Sequence, residues 1–212
     1  MLLCGLMKPL SADESRRESI LAAATRVFGT KGLAGSSMRM IAREAACTTG
    51  AIYPVFEGKE AIYAALLERS LTGLHTQVAL ACAAQADPLE ALEAAASAWH
   101  GYYIEHLFEA ELGLYMHTGE GIYGLGSERN TMLNALLLQT LDIFRACFMR
   151  LATELGIDNA QAWATAERDR LFAELIGILM LTLSRRTESI GTSSDTLVQN
   201  CLRAQRERLQ VL

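Results

Sequence analysis

Residues 36–60 read SSMRMIAREAACTTGAIYPVFEGKE and carry the strongest structural signal in the chain. Serine and threonine accept hydrogen bonds from the first N–H groups of a helix, and this stretch holds them at two helix starts. It predicts one short helix capped by Ser36 or Ser37 and running through Ala45, and a second capped by Thr48 and covering residues 49–56. A separation of only two or three residues is typical of a helix-turn-helix, whose second helix enters the major groove of DNA.

The flanking sequence is helical on both sides. A helix is predicted from Ser15 to Lys31, with Ser15 and Glu18 as a capping box and Gly32 as its stop. Helical periodicity and Gly or Pro stops predict further helices over residues 59–84, 88–110, 127–155, 159–189 (capped by Asp158) and from Ser194 or Asp195 to the end, with a short helix inside loops over 111–126. Because no run alternates with period two, the predicted fold is all-α.

Charge is distributed unevenly along the chain. The 212 residues carry 24 Asp and Glu against 19 Lys and Arg, and a net charge of −5 disfavours contact with a polyanion. Residues 1–60, however, hold eight Lys and Arg, including all three lysines, against six acidic residues, whereas residues 61–212 are net −7. A basic N-terminal part fits a helix-turn-helix that approaches DNA.

The same N-terminal stretch resembles a known family. The residues that carry the resemblance are Arg17, Ile20, Leu21, Ala23, Ala24, Phe28, Gly32, Ser36, Ser37, Met38, Arg39, Ile41, Ala42, Ala45, Thr48, Gly50, Ala51, Ile52, Tyr53, Phe56, Lys59 and Glu60. Together they resemble the DNA-binding domain of TetR-family transcription regulators. The resemblance implies a three-helix DNA-binding domain over residues 1–60, a larger helical effector-binding and dimerisation domain over residues 61–212, and a homodimer.

Two faces of the short helices have different predicted roles. Ile41, Ala42, Ala45, Ile52 and Phe56 have the spacing of a core between two steeply crossing helices, in which the small alanines permit close approach.

The opposite face carries the candidate DNA contacts. Arg39 is predicted to read a base, because a guanidinium can donate to both acceptors of guanine, with Thr49 and the Ala51 methyl as weaker readers. The predicted phosphate contacts are Ser37, Thr48, Tyr53 and Lys59.

The sequence departs from the family pattern in three places. Ala46 stands where the turn usually has Gly, so a positive φ there would be strained. Ala51 lacks a common hydroxyl, and Pro54-Val55 replaces a pair that often includes a phosphate contact.

Aromatic and histidine side chains recur at helical spacing in the C-terminal part. Trp99, Tyr103 and His106 follow one another at i, i+4 and i+7. Such a stripe is usually core, but the resemblance implies a small-molecule pocket here, where aromatic groups with polar tips would contact the ligand. The candidate contacts are Trp99, Tyr102, Tyr103, His106, Tyr115, His117, Phe144 and Phe148, which suit an apolar or aromatic effector with one or two polar groups.

Residues 171–183, LFAELIGILMLTL, are apolar all round a helix. Such a helix is buried on every side, either as the core helix of a monomer or by packing on its own domain and on a partner. The second reading predicts a dimer interface that contains Leu171, Leu175, Ile178, Leu179, Leu197 and Cys201, with close approach at Gly177.

Other chemistries are disfavoured. The cysteines, Cys4, Cys47, Cys82, Cys147 and Cys201, lack C-x-x-C spacing and are predicted to be reduced thiols of a cytoplasmic protein. The alternative is that one of them, such as Cys147 on a helix, is a redox-sensing thiol. Only His106 and Glu109 share a helix face at metal-ligand spacing, so we expect neither a metal nor a cofactor. Nucleophile elbow, phosphate-loop and HExxH motifs are missing, so we do not expect the protein to be an enzyme. Residues 1–10 lack the basic start of a signal peptide, and the apolar run over 175–183 is too short for a membrane span.

The sequence thus predicts a TetR-like repressor that binds a palindromic operator in double-stranded DNA as a homodimer and leaves it when a small effector binds. Two alternatives stay open: a helical binding or adaptor protein whose DNA-reading surface has weakened, and a small all-α enzyme.

Overall fold

The computed structural model describes residues 11–116 and 125–211, and every regular element in these ranges is helical. The helices are α1 (Ala12–Lys31), α2 (Met38–Glu44), α3 (Thr49–Ile52), α4 (Lys59–Ala83), α5 (Pro88–Glu105), α6 (Leu107–Gly113), α7 (Ser127–Leu155), α8 (Ala160–Leu183), α9 (Arg186–Ser189) and α10 (Ser194–Leu209). The predicted all-α class is confirmed.

Helix α1 begins one turn earlier than predicted. The pattern S-x-x-E occurs twice, from Ser11 to Glu14 and from Ser15 to Glu18, and either could form a capping box. The structure uses the first: Ser11 Oγ accepts from the backbone N–H of Glu14 at 3.2 Å, and Glu14 Oε2 accepts from the N–H of Ser11 at 2.8 Å. The predicted stop at Gly32 is confirmed, with a φ of 65°.

Two long predicted helices are interrupted where the sequence has neither Gly nor Pro. The helix predicted over 88–110 breaks at His106, whose φ of −129° and ψ of 61° are not helical. The helix predicted to reach residue 189 breaks at Arg185, whose φ is +56°. Hydrophobic periodicity continues across both breaks, which is why it did not reveal them.

The predicted cap of α8 is displaced by one residue, whereas the predicted start of α10 at Ser194 is confirmed. Helix α8 is preceded by Asn159 with a φ of 56°, and not by Asp158. Helix α10 is capped by Ser193, whose Oγ accepts from the backbone N–H of Thr196 at 3.1 Å.

The chain divides into two compact units. Unit 1 comprises the described residues through Leu66 together with Tyr115, Met116, Leu125 and Gly126, and unit 2 comprises the described residues of 67–114 and from 127 onward. The predicted domain boundary at residue 60 falls at the start of α4, and the change of unit falls later in the same helix.

Unit 1 has its own core, built on α1. Its buried apolar side chains include Ile20, Leu21, Ala24, Phe28, Ile41, Ala42, Ile52, Phe56, Ile62 and Tyr63. The rings of Phe28 and Tyr63 lie 5.7 Å apart, and the guanidinium of Arg17 lies 5.2 Å from the centre of the Phe56 ring. The first contact joins α1 to the start of α4, and the second joins α1 to the segment between α3 and α4.

Unit 2 has a larger core between α5, α7, α8 and α10. Its buried side chains include Leu74, Trp99, Tyr103, Phe144, Phe148, Leu171, Leu175, Leu179, Val198 and Leu202. Ion pairs attach α10 to α5 and α8. Arg206 donates to both carboxylate oxygens of Glu93 on α5, at 2.8 and 2.7 Å, and Arg208 donates to Glu167 on α8. Because Glu167 is only 8% exposed, its partners compensate a buried charge.

Helix α7 is long and apolar enough to cross a membrane by length and composition alone. In unit 2, however, it contributes Leu133, Leu141, Phe144, Phe148 and Leu151 to the buried core. Its outer face carries the surface ion pair of Arg145 with Asp142. This pattern is that of a core helix.

Candidate functional site

The short helices α2 and α3 form the predicted helix-turn-helix. Ser37 is the N-cap of α2, and its Oγ accepts from the N–H of Met40 at 3.3 Å. In the turn that follows, the N–H of Cys47 donates to the carbonyl of Ala42 at 2.9 Å. Ile41, Ala42, Ile52 and Phe56 are buried as predicted, whereas Ala45 is only half-buried.

Helix α3 is shorter than predicted. It ends at Ile52 instead of residue 56, and the N–H groups of Val55 and Phe56 both donate to the Ile52 carbonyl, at 2.8 and 2.9 Å. Pro54 accounts for this end, because proline has no N–H with which to continue the helical ladder. Thr48 is the N-cap residue, but its side chain makes no capping hydrogen bond, so its hydroxyl stays available to another partner.

The positive φ predicted for the turn residue Ala46 is confirmed. Ala46 has a φ of +52°, the left-handed region that glycine occupies without a steric penalty. The cost for an L-residue is about 1–2 kcal/mol, part of which alanine recovers by restricting the unfolded chain.

Ala46→Gly is therefore expected to raise the free energy of unfolding by about 0.5–1 kcal/mol. Thermal denaturation followed by circular dichroism measures it. The matched control is Ala45→Gly, since Ala45 has a right-handed φ of −82° and gains nothing from glycine. Equal effects of the two substitutions would contradict strain at Ala46.

Three of the predicted DNA contacts meet around one depression in unit 1. The depression has a volume of about 610 Å³ and is lined by Arg39, Met40, Ala42, Arg43, Cys47, Thr48 and Thr49. Arg39, Arg43 and Thr48 are exposed, and Thr49 is half-buried. Arg43 was not among the predicted contacts, although its position four residues after Arg39 places both guanidinium groups on the same side of α2.

The other predicted contacts lie outside that depression. Ser37 is exposed at the start of α2, Ala51 is half-buried in α3, and Tyr53 is 55% exposed just after α3. Lys59 has an internal role, because its Nζ donates to the carbonyls of Leu33 at 2.8 Å and Ser36 at 3.2 Å. An ammonium group has three hydrogens, so one stays available for a phosphate.

The predicted effector contacts are mostly core residues of unit 2. Trp99, Tyr103, Phe144 and Phe148 are at most 4% exposed. Trp99 contacts Tyr103 edge-on, with ring centroids 4.8 Å apart. Two aromatic neighbours that were not among the predicted contacts complete the cluster: the ring centroid of Phe172 lies 6.3 Å from that of Trp99, and the ring centroid of Trp163 lies 5.9 Å from that of Phe148.

The remaining predicted effector contacts are dispersed. His106 is exposed at the break between α5 and α6, with its ring 4.7 Å from that of Tyr102. Tyr115 belongs to unit 1, and His117 lies outside the described residues. Among residues 11–116 and 125–211, groups of three or more metal-ligating side chains do not occur.

Tyr102 is held by α4 at a point where only glycine fits. Its hydroxyl donates to the carbonyl of Ser70 at 3.0 Å. A Cβ at Gly73 would lie 2.9 Å from that hydroxyl oxygen, closer than carbon and oxygen approach each other. Burial raises the pKa of Tyr102, so the group stays a neutral hydrogen-bond donor.

The buried polar atoms of unit 2 without a hydrogen-bond partner among the described residues include Ser70 Oγ, Trp99 Nε1 and His100 Nε2. Leaving such an atom unpaired costs about 1–3 kcal/mol, so each is a candidate to bind a polar group of a ligand. Periodicity could not reveal them, because it marks a position as buried without showing which side-chain atoms are paired.

His100 gives unit 2 a predicted pH dependence. Its ring is 4% exposed, and burial lowers its pKa, although Asp195 lies 3.6 Å from Nδ1 and opposes the shift. Because the unfolded state then binds the proton more readily, stability is expected to fall as pH drops below the ordinary histidine pKa of about 6.5. Urea unfolding from pH 7.5 to pH 5 measures the slope. A His100→Gln variant with an unchanged slope would show that another group is responsible.

Comparison with known proteins agrees with this geometry. The family model described as "Bacterial regulatory proteins, tetR family" matches residues 20–66. No curated protein matches the sequence with significance.

Solved structures match over nearly the whole chain. A regulatory protein of the tetR family from Rhodococcus RHA1 has 20% identity and a TM-score of 0.69, over 92% of this chain and 97% of its own. The transcriptional regulator FadR from Bacillus subtilis, in complex with stearoyl-CoA, has 17% identity and a TM-score of 0.70, over 88% and 95%. The TetR-family regulator PfmR from Thermus thermophilus has 21% identity and a TM-score of 0.64, over 87% and 94%.

At these identities the likeness establishes the fold, and the family model establishes the N-terminal domain. Residues 20–66 are thus the helix-turn-helix domain of the TetR family of bacterial regulatory proteins, followed by a larger helical domain with the fold of that family's solved members.

Proposed function

We propose that the protein is a transcriptional repressor that binds a palindromic operator as a homodimer and releases it when a small effector binds unit 2. The observation that carries the proposal is the α2–α3 depression, where Arg39, Arg43, Thr48 and Thr49 present hydrogen-bonding groups on one surface. Such a regulator works in the cytoplasm, where it meets the chromosome.

The exposed groups have distinct roles in DNA binding. Arg39 donates to the acceptors of a guanine, and Thr49 and the Ala51 methyl make weaker base contacts. Neither Arg39 nor Arg43 has an ion-pair partner in the described part of the chain, so both guanidinium groups are available.

The remaining residues position the protein on the backbone. Ser37, Thr48, Tyr53 and Lys59 bind phosphates, which fixes the register of the base contacts. The free hydroxyl of Thr48 supports this role, whereas the two internal hydrogen bonds of Lys59 make that side chain more important for holding the start of α4.

A selection from random duplex DNA followed by fluorescence anisotropy tests the proposal. We expect enrichment of a palindromic site and affinity that falls steeply with salt, because Lys and Arg contacts displace counterions from phosphate. Lack of an enriched site, or binding that salt leaves unchanged, would refute it.

The proposed dimer uses a different face of α8 from the one predicted. Leu171, Leu175, Ile178 and Leu179 are at most 8% exposed within the single chain, so they offer a partner almost no apolar area. The exposed face of α8 instead carries Ala173, Gly177, Met180 and Leu181, of which Met180 and Leu181 are 43% and 36% exposed.

This face is apolar. The four residues recur at helical spacing, and charged side chains are missing from α8 after Glu174. The small side chain of Ala173 and the bare backbone of Gly177 allow two helices to approach closely. On α10, Leu197 and Cys201 of the predicted interface are half-buried, so they keep some area for a partner.

Gly177→Arg is expected to convert the dimer to a monomer and leave the protomer folded. A Cβ at Gly177 has no heavy atom within 4 Å outside its own helix, and arginine is the better helix former by about 0.5–1 kcal/mol. Sedimentation velocity measures the mass, and circular dichroism measures helicity. Gly101→Arg is the matched control, because a Cβ there is equally unobstructed. A dimeric Gly177→Arg variant would exclude this face.

The proposed effector is an apolar molecule with one or two polar groups, bound in unit 2. The unpaired Trp99 Nε1 and Ser70 Oγ supply polar contacts within an otherwise apolar core. A fatty acyl chain has this character, and the Bacillus subtilis FadR structure contains stearoyl-CoA, so acyl-CoA is the first class of ligand to test.

Release of DNA requires the effector to prefer the conformation that does not bind DNA, and the two affinities must then oppose each other reciprocally. Stearoyl-CoA and shorter acyl-CoA molecules are titrated into the protein–DNA complex. A fall in anisotropy that free coenzyme A does not reproduce is expected. If no acyl-CoA causes release, this effector class is excluded, and DNA binding is judged separately by the selection experiment.

A further inference from the structure

Two cysteines of unit 2 lie side by side. Cys82, in the last turn of α4, and Cys147, in the middle of α7, have their Sγ atoms 3.6 Å apart although 65 residues separate them in sequence. Both are free thiols. The two sulfur atoms are therefore almost in van der Waals contact. A small apolar residue could fill either position, so packing alone does not require two thiols here.

We propose that Cys82 and Cys147 form a site of reversible oxidation, at which a peroxide converts the two thiols into an intramolecular disulfide. A disulfide bond is about 2.05 Å long, so the sulfur atoms must approach by roughly 1.5 Å. Cys82 can supply most of this movement, because α4 ends at Ala83 and the last turn of a helix opens more easily than its middle.

The surroundings assign different roles to the two thiols. Cys82 is half-buried and is the one that a small oxidant reaches, whereas Cys147 is 2% exposed. Burial raises the pKa of Cys147, so this thiol stays protonated until the second step. Arg150 lies one turn further along α7, and its Nη2 donates to the carbonyl of Ala86 at 2.5 Å, which ties the chain after Cys82 to the same helix.

The chemistry balances in two steps. The sulfur of Cys82 attacks one oxygen of hydrogen peroxide, the O–O bond breaks, and a sulfenic acid and water form. The sulfur of Cys147 then attacks the sulfenic sulfur, its proton leaves with the hydroxyl group as a second water, and the S–S bond forms. Two electrons pass from the two thiols to the peroxide, and an external dithiol reverses the change.

Cys201 provides an internal comparison. Its Sγ donates to Glu174 Oε2 at 2.9 Å, and burial together with this carboxylate raises its pKa to about 12. The thiolate is therefore disfavoured there. Cys47 lies in unit 1, in the lining of the α2–α3 depression. Peptide mapping therefore distinguishes its oxidation from that of Cys82 and Cys147 in unit 2.

Peptide mapping of the full chain tests the site. The protein is treated with a small molar excess of hydrogen peroxide, blocked with an alkylating reagent and digested without reduction. We expect one linked peptide pair joining Cys82 to Cys147, a loss of two hydrogen atoms from the intact mass, and full reversal by dithiothreitol. Free thiols should fall from five to three.

Single variants separate the two roles. Cys147→Ser should accumulate a sulfenic acid on Cys82 that dimedone captures, whereas Cys82→Ser should leave Cys147 unmodified. Cys201→Ser should form the same Cys82–Cys147 disulfide as the wild type, and circular dichroism confirms that each variant is folded. Unmodified cysteines in the wild type, a disulfide between chains, or a link that involves Cys47 or Cys201 would each overturn the proposal. These readouts do not use DNA, so they are independent of the proposed repressor function.

Discussion

Replacing Arg39 with alanine is expected to weaken operator binding more than any other change in the reading surface. A bidentate contact to one base contributes about 1–3 kcal/mol of discrimination, and a palindromic site contains two such contacts. For well-separated positions the effects add, giving about 2–6 kcal/mol, or a loss of roughly 30-fold to more than 10⁴-fold in affinity. Anisotropy titration of the selected operator measures it.

The specificity of that loss matters more than its size. Arg39→Ala should lose affinity for the operator but change binding to scrambled DNA far less, because base contacts carry the sequence information. Arg145→Ala removes the same charge from a surface ion pair in unit 2 and should change neither value. Equal losses on operator and scrambled DNA would instead make Arg39 a phosphate contact.

Arg43 is the internal alternative to Arg39. Both guanidinium groups border the α2–α3 depression and are exposed, and only the position on α2 distinguishes them. If Arg43→Ala abolishes sequence preference while Arg39→Ala does not, the base-reading role passes to Arg43. The proposed function would survive that outcome, since only the assignment of the contact would change.

The helix-turn-helix could be predicted from sequence because local rules determine it. The caps at Ser37 and Thr48 and the small Ala42 in the crossing are properties of a few adjacent residues. The positive φ of Ala46 was expected from the family resemblance, because that turn position usually holds Gly. Where two local solutions were equivalent, as for Ser11 and Ser15 at the start of α1, the sequence could not choose between them.

The faces of α8 could not be assigned from sequence for a different reason. A helix that is apolar all round gives no direction to its hydrophobic surface, so Leu175 and Leu181 look equivalent in the pattern. In the structure, Leu175 is fully buried and Leu181 is 36% exposed, because α5, α7 and α10 pack on one side only. Contacts with helices that are distant in sequence therefore determine which face of α8 is buried.

The aromatic stripe of α5 shows that helical spacing predicts which residues are buried but not which of their polar atoms are paired. Burial of Trp99 was predictable from its spacing, but the lack of a partner for its Nε1 depends on Phe172 and other neighbours that approach its ring. His106 belongs to the stripe by spacing and is nevertheless exposed, because the helix breaks at that residue. Effector contacts are therefore better sought among unpaired polar atoms than along a helical stripe.

Phe148→Ala is expected to be the most destabilising of the substitutions considered. Phe148 is fully buried in the core of unit 2 and packs edge-on against Trp163, with ring centroids 5.9 Å apart. Truncation of a buried phenylalanine to alanine costs about 3–5 kcal/mol, because transfer energy is lost and a cavity remains. For a chain of this size the melting temperature should fall by about 6–20 °C. Differential scanning calorimetry measures the shift.

Phe148→Leu distinguishes packing from ligand contact at the same position. Leucine retains most of the apolar volume, so the cost in stability should stay below about 1.5 kcal/mol, while the aromatic face is lost. If Phe148 only fills the core, acyl-CoA affinity should be unchanged within a factor of about three, since the stability cost is shared by the free and bound states. A tenfold or larger loss of affinity in a stably folded Phe148→Leu protein would place the ring against the effector.

A Phe148→Ala variant that unfolds at the wild-type temperature would instead show that unit 2 does not depend on this contact for its stability.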